Sequence, residues 1–87
     1  MDERLSDLSI GKSGTVVKVL GDGPIRRRLF DMGVTPGAKF YIRKKAPLGD
    51  PVEITLRGYE LTLRKDEAEL VVVEVPDDSE EVKEESK

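Results

Sequence analysis

Apolar and polar positions alternate with a period of two through much of the chain, which is the pattern of half-buried β-strands. Residues 52–57 (VEITLR) and 59–64 (YELTLR) alternate cleanly, and Gly58 between them predicts a hairpin. Residues 39–45 (KFYIRKK) alternate in the same way. The positions of this third segment expected to face outward are Tyr41, Arg43 and Lys45.

Two other runs predict strands that are covered on both sides. The segments 15–20 (TVVKVL) and 70–75 (LVVVEV) are apolar and rich in β-branched residues. The short segment 65–70 before the second run predicts one helical turn. The pattern therefore gives about five strands.

One short helix is predicted between the first strand and the segment 39–45. Pro24 suits a first helical turn, and Gly33 suits the residue just after a helix end. Spacings of four and three residues define an apolar stripe, formed by Ile25, Leu29 and Met32. Because about two turns of helix are unstable in isolation, the stripe must dock on the sheet.

The predicted fold class is mainly β. Small all-β chains avoid open sheet edges by closing the sheet. We therefore expect a small, partly open SH3-like barrel of about five strands. A short α-helix is inserted after the first strand, and a helical turn precedes the last one.

Charge divides the chain into two parts. Of the 18 acidic and 15 basic residues, six acids and two lysines lie in residues 76–87, so the rest of the chain is slightly basic. With one apolar residue, Val82, this segment cannot offset its ordering entropy. We predict a single barrel domain over residues 1–75 and a disordered acidic tail over 76–87. The tail serves solubility or, as the alternative, docking.

Composition argues against catalysis and against a tight metal site. The chain has neither His nor Cys, so it lacks the commonest general base and the preferred transition-metal ligands. Gly11-Lys12-Ser13 does not make a phosphate-binding loop, since the required earlier glycine is missing and a strand follows. We expect no enzyme and no catalytic residue. Four acids could be ligands for a hard cation: Asp31, Asp50, Glu53 and Glu60. The favoured interpretation is that they belong to a solvated surface.

No apolar run is long enough for a membrane span or a signal peptide. We therefore expect a cytoplasmic protein without direct membrane insertion.

Two basic groups remain as candidates for binding. Residues 26–28 are three arginines on the predicted helix, where Arg27 lies opposite the apolar stripe and can pair with Asp31. Residues 43–45 form the second group. Near-neutral charge and few aromatic residues favour a protein partner over a nucleic acid, and a solvated surface is the alternative. The predicted partner-binding residues are Arg26, Arg27, Phe30, Tyr41, Arg43 and Lys44.

Several motifs together resemble the ferrous iron transport protein A (FeoA) family. They are Arg28-Leu29 followed by Met32-Gly33, then Pro36-Gly37, the loop 47–51, and the stretch from Gly58 to Ala68. The resemblance covers about residues 5–74 and departs from the family at Met32, where Leu is usual, and in the acidic tail.

The resemblance implies an SH3-like barrel and a non-enzymatic, cytosolic accessory to FeoB. FeoB is the membrane Fe(II) transporter, which carries a cytoplasmic GTP-binding domain. The resemblance to the FeoA family also implies positive φ at Gly33 and Gly37. It implies structural roles for Arg28 and Arg64 as partners of nearby acids. The core candidates are Leu29, Leu56, Leu63, Ala68 and Val72.

Two alternatives stay open. The first alternative is a metal-responsive module that binds Fe or Zn itself, since the same domain occurs in metal-dependent repressors of the diphtheria toxin repressor class. A small nucleic-acid-binding barrel is the other. No cofactor is expected beyond weak Fe(II) or Zn(II) binding, and the sequence leaves the oligomeric state undetermined.

Overall fold

Six β-strands form one antiparallel sheet in the order β1-β6-β2-β3-β4-β5 in the computed structural model, which describes residues 2–76. The strands are β1 Asp2–Arg4, β2 Ser13–Val19, β3 Lys39–Lys45, β4 Val52–Leu56, β5 Tyr59–Leu63 and β6 Val71–Glu74. The sheet wraps around a single apolar core, with β1 and β5 at its edges. Except for Pro76, the predicted acidic tail lies outside the described residues.

The inserted helix forms where it was predicted. Helix α1 is Gly23–Asp31, with Pro24 in its first turn, and it follows directly on β2. Gly33 then has φ +97° and donates its N–H to the Phe30 carbonyl at 2.9 Å. Glycine suits this position because positive φ is strained for other residues. Leu29, at the centre of the stripe, is fully buried.

The two remaining helical elements are short and contact each other. Helix α2 is Lys65–Ala68, and it confirms the predicted helical turn. A 3-10 helix, Leu5–Asp7, contacts both α2 and β6.

The core is built from the inward faces of the strands, closed by α1 and the two shorter helical elements. All five predicted core residues are buried. The largest fully buried side chains are Leu5, Leu29, Val34, Ile42, Val52, Ile54, Leu56, Leu63, Val71 and Val73.

Two turns have the predicted glycine chemistry. Gly37 has φ +93°, and the Ala38 N–H donates to the Thr35 carbonyl at 3.0 Å, as in a type II turn. In the β4–β5 hairpin Arg57 and Gly58 both have positive φ, the requirement of a two-residue type I′ loop.

Residues 2–8 contain structure that the pattern did not predict. Strand β1 is exposed at all three positions, and its Asp-Glu-Arg sequence carries no apolar alternation. It exists because its backbone pairs with β6. With β1 the sheet has six strands, where the pattern gave about five, and the buried Leu5 and Leu8 follow this strand.

The expectation that the first predicted strand is covered on both sides was wrong. Val16 and Val19 of β2 are buried, Val17 is half-buried and Lys18 is exposed. The pairing of β2 with β6 shifts register between Val16 and Lys18, so the alternation changes phase there. One face of β2 supplies the core, and the other is partly solvated.

Candidate partner-binding surfaces

A groove of about 540 Å³ runs along the exposed side of α1. Gly21 and Asp22, just before the helix, form one part of its lining, and the helix supplies Gly23, Arg26, Arg27, Phe30 and Asp31. We call this the α1 groove. It is positioned by the buried Leu29 on the opposite side of the helix, which anchors α1 to the core.

Arg26 and Phe30 form a fixed pair within the α1 groove. The Arg26 guanidinium lies 4.6 Å from the centroid of the Phe30 ring, a cation–π arrangement. The Arg26 Nε also donates to the Val19 carbonyl at 3.3 Å. Phe30 is half-buried and packs against the core, so the ring supports the arginine and still reaches the surface.

Among the described residues, Arg27 has no ion-pair partner. The expected ion pair between Arg27 and Asp31 is not formed, and Arg27 makes no ion pair with any residue between 2 and 76.

Arg28 points elsewhere and is structural. Its Nη1 lies 2.5 Å from Oε2 of Glu67, whose side chain is 3% exposed while that of Arg28 is 60% exposed. Oε1 of Glu67 accepts a hydrogen bond from the Arg64 backbone N–H at 2.9 Å, so this donor at the start of α2 has a partner. Glu67 thus ties α1 to α2. The Arg64 guanidinium, in contrast, makes no ion pair within residues 2–76.

The basic group on β3 is divided by a β-bulge. Ile42 lies opposite Ile54, but Lys44, not Arg43, lies opposite Glu53, so Arg43 is the extra residue. The bulge turns Lys45 away from the predicted outer face. Its Nζ donates to the carbonyls of Ser6 at 3.2 Å and Leu8 at 2.9 Å.

The outer face of the sheet therefore presents Tyr41, Arg43 and Lys44. Tyr41 is 47% exposed, and Lys44 is exposed. Arg43 contacts two carboxylates, Glu53 at 3.8 Å and Glu60 at 3.6 Å. None of these three basic or aromatic residues lines the α1 groove. The six predicted partner residues consequently lie on two surfaces and not on one.

The acids considered as metal ligands do not converge. In the described part of the chain, no three carboxylates come close enough together to hold a metal ion. Glu53 and Glu60 instead share Arg43, and Asp50 accepts the backbone N–H of Lys65 at 3.0 Å. No helix among residues 2–76 has the length and apolar character needed to cross a membrane.

Sequence reasoning missed two exposed aliphatic side chains, Ile10 and Leu48. The signal for Leu48 was its place in Pro47-Leu48-Gly49, where an aliphatic residue occupies a turn. Ile10 had a similar but weaker signal beside Gly11.

These features define a class of protein: a small SH3-like barrel with charged and apolar side chains exposed on its surface. The sequence profile of the FeoA domain matches residues 3–75, and the chain belongs to the FeoA family. A relative from Porphyromonas gingivalis, an Fe(2+) transport protein A/Fe(2+) transporter FeoB fusion protein, is 36% identical over 72 residues. The match covers 83% of this chain but 8% of that relative.

Solved structures agree with this assignment. A FeoA-like protein from Clostridium acetobutylicum is 40% identical with a TM-score of 0.79, over 85% of this chain and 86% of the other. FeoA from Stenotrophomonas maltophilia, complexed with zinc and described as a prokaryotic SH3 domain protein, is 30% identical with a TM-score of 0.72. That match covers 83% of this chain and 89% of the other. The IdeR structure from T. acidophilum, 21% identical with a TM-score of 0.77 over 86% of this chain and 34% of the other, shares the fold.

Proposed function

We propose that this chain is a non-catalytic, cytoplasmic accessory protein of ferrous iron uptake that contacts the cytoplasmic part of a FeoB-type Fe(II) transporter. The observation that carries the proposal is the Porphyromonas gingivalis relative, in which a domain like this one shares a polypeptide with FeoB. Fusion keeps two domains at a high effective concentration, which benefits a pair that functions in contact. In this proposal iron is the cargo of the transporter, and the chain needs no resident cofactor.

The α1 groove suits such a contact. Arginine and aromatic side chains are enriched among the residues that dominate binding energy at protein interfaces. Arg26 is already held over Phe30, so this side chain loses little conformational entropy on binding. Asp22 and Asp31 balance the charge of the two arginines in the lining, but the Arg27 guanidinium makes no ion pair within residues 2–76, so it would meet a carboxylate on the transporter.

The test is a charge reversal in the α1 groove. Arg26→Glu combined with Arg27→Glu should weaken binding to the purified cytoplasmic part of the transporter by about tenfold or more, because attraction becomes repulsion. Lys18→Glu combined with Lys39→Glu is the matched control, since both lysines are exposed and neither lines this groove. Affinity is measured by calorimetry, and thermal unfolding shows whether each variant is folded.

Equal loss in the two double variants would show that net charge matters and not the α1 groove. Absence of binding by the unaltered chain would refute the proposed contact itself.

A further inference from the structure

Two aliphatic side chains from distant parts of the sequence line one surface on the barrel. Leu48, in the β3–β4 loop, is 87% exposed, and Ile10, before β2, is 59% exposed. Both line a groove of about 770 Å³, which we call the Ile10–Leu48 groove. The other large hydrophobic side chains exposed in residues 2–76 are Tyr41 and Tyr59, and each has a hydroxyl. Ile10 and Leu48 have no polar atom to compensate their contact with water.

The frame of this groove is held by specific hydrogen bonds. Gly49 donates its N–H to the Ala46 carbonyl at 2.7 Å, which closes a turn with Leu48 at its tip. The Ala46 N–H donates to the Pro51 carbonyl at 3.1 Å and closes the base of the loop. Lys45 fastens this loop to the segment that leads to Ile10, through its two bonds to Ser6 and Leu8. Such a pre-formed surface costs less entropy to bind than a mobile one.

The charged residues that line the Ile10–Leu48 groove indicate which kind of ligand it could bind. Lys45 and Lys65 both line the groove, and Asp7 is the single acid among its lining residues. A ligand segment with an aliphatic side chain for Ile10 and Leu48, flanked by carboxylates for the two lysines, complements these features. Ser6 and Ser9 also belong to the lining, and these hydrogen-bonding side chains suit the backbone of a peptide segment better than the apolar interior of a lipid bilayer.

We propose that the Ile10–Leu48 groove is a second contact surface, which binds an acidic, aliphatic-bearing segment of the transporter's cytoplasmic part. The identity of this partner rests on the proposed function. The groove shares no lining residue with the α1 groove, so the two surfaces contact different parts of the partner.

The test compares Leu48→Ser with Leu48→Met in the full chain, with the cytoplasmic part of the transporter as the probe. Leu48→Ser should weaken binding about tenfold or more, because burial of the leucine side chain is lost. Leu48→Met keeps an apolar side chain and should bind within about threefold of the unaltered chain. Neither substitution should change thermal unfolding, since Leu48 makes little contact with the rest of the protein.

A charge pair provides an independent measurement. Lys65→Glu should weaken binding, whereas Lys18→Glu, which lines a different groove, should not. In NMR spectra, the methyl signals of Ile10 and Leu48 should shift when the transporter fragment is added.

The outcomes separate the two proposals. If the unaltered chain binds and Leu48→Ser binds equally well, the second surface is refuted and the proposed function stands. If the unaltered chain does not bind at all, the proposed function fails as well.

Three other occupants are also tested. The first test replaces the glutamates of residues 77–87 with glutamine in the free chain. A shift of the Ile10 and Leu48 methyl signals would then assign the Ile10–Leu48 groove to the chain's own acidic segment. Shifts on dilution would assign it to a second copy, and Leu48-dependent binding to anionic vesicles would assign it to a lipid surface. Each result would overturn the inference.

Discussion

The ion pair between Arg28 and Glu67 should couple α1 to α2 energetically, and a double-mutant cycle can measure this. The two charged atoms are 2.5 Å apart, with the carboxylate buried and the guanidinium largely in water. Arg28→Ala removes the cation and leaves the Glu67 carboxylate with the Arg64 N–H as its remaining observed partner. Glu67→Gln removes the charge but keeps an oxygen that can accept that N–H.

The expected magnitude follows from the unequal exposure of the two groups. Breaking a fully buried pair by removing one partner costs about 3–5 kcal/mol. Because Arg28 is 60% exposed and screened by water, we expect about 1–2 kcal/mol for Arg28→Ala. Glu67→Gln should cost about 1 kcal/mol, since the charge-assisted bond is weakened and the cap is retained. The double variant should fall short of the sum of the single costs by about 1 kcal/mol, because the second substitution removes an interaction already lost.

The assay is reversible thermal or urea unfolding of the full chain. In a domain of this size each kcal/mol lowers Tm by about 4–8 °C, so Arg28→Ala is readily detected. Arg27→Ala is the matched control, since the neighbouring arginine makes no ion pair in residues 2–76 and should change stability by less than about 0.5 kcal/mol. Additive costs, with a coupling below about 0.3 kcal/mol, would refute the view that this pair connects the helices.

The other stability predictions concern one glycine pair and one surface arginine. Gly33→Ala should cost about 2 kcal/mol in unfolding experiments, because positive φ is strained for alanine and its Cβ would push the Tyr59 hydroxyl away from the Met32 carbonyl, to which it donates. Gly37→Ala, where φ is also positive but the space is open, should cost about 1 kcal/mol; an equal loss at both sites would rule out this displacement of Tyr59. Arg43→Ala should change stability by less than about 0.5 kcal/mol, since its two ion pairs are long and solvated, and a loss above about 1 kcal/mol would contradict that assessment.

The candidate site was only partly accessible from sequence. Helical spacing correctly placed Arg26 and Arg27 on the exposed side of α1 and Phe30 off the buried stripe. It could not show that Arg26 stacks on Phe30, because that contact depends on side-chain conformation. That these residues bind a partner together with Tyr41, Arg43 and Lys44 stays a prediction. The structure places the two groups on different surfaces.

The bulge in β3 shows why strict alternation fails at particular positions. A strand pattern assigns faces by counting in twos, and one extra residue at Arg43 reverses every later assignment. Lys45 was therefore expected outside, although it holds the 3-10 segment by two hydrogen bonds. The register of β3 against β4, which decides this, is a property of the pairing and not of either strand.

The sequence by itself determined the elements whose cause is local. The period-two strands, the helix between Pro24 and Gly33, and the glycine-dependent turns all arise from side-chain spacing and backbone φ, so they could be predicted residue by residue. Tertiary structure alone decided that Asp2–Arg4 forms a strand, that Glu67 is buried against Arg28, and that Ile10 and Leu48 share one groove. Each of these depends on a contact between residues far apart in the chain, and the free energy of such a contact exists only once the sheet has brought them together.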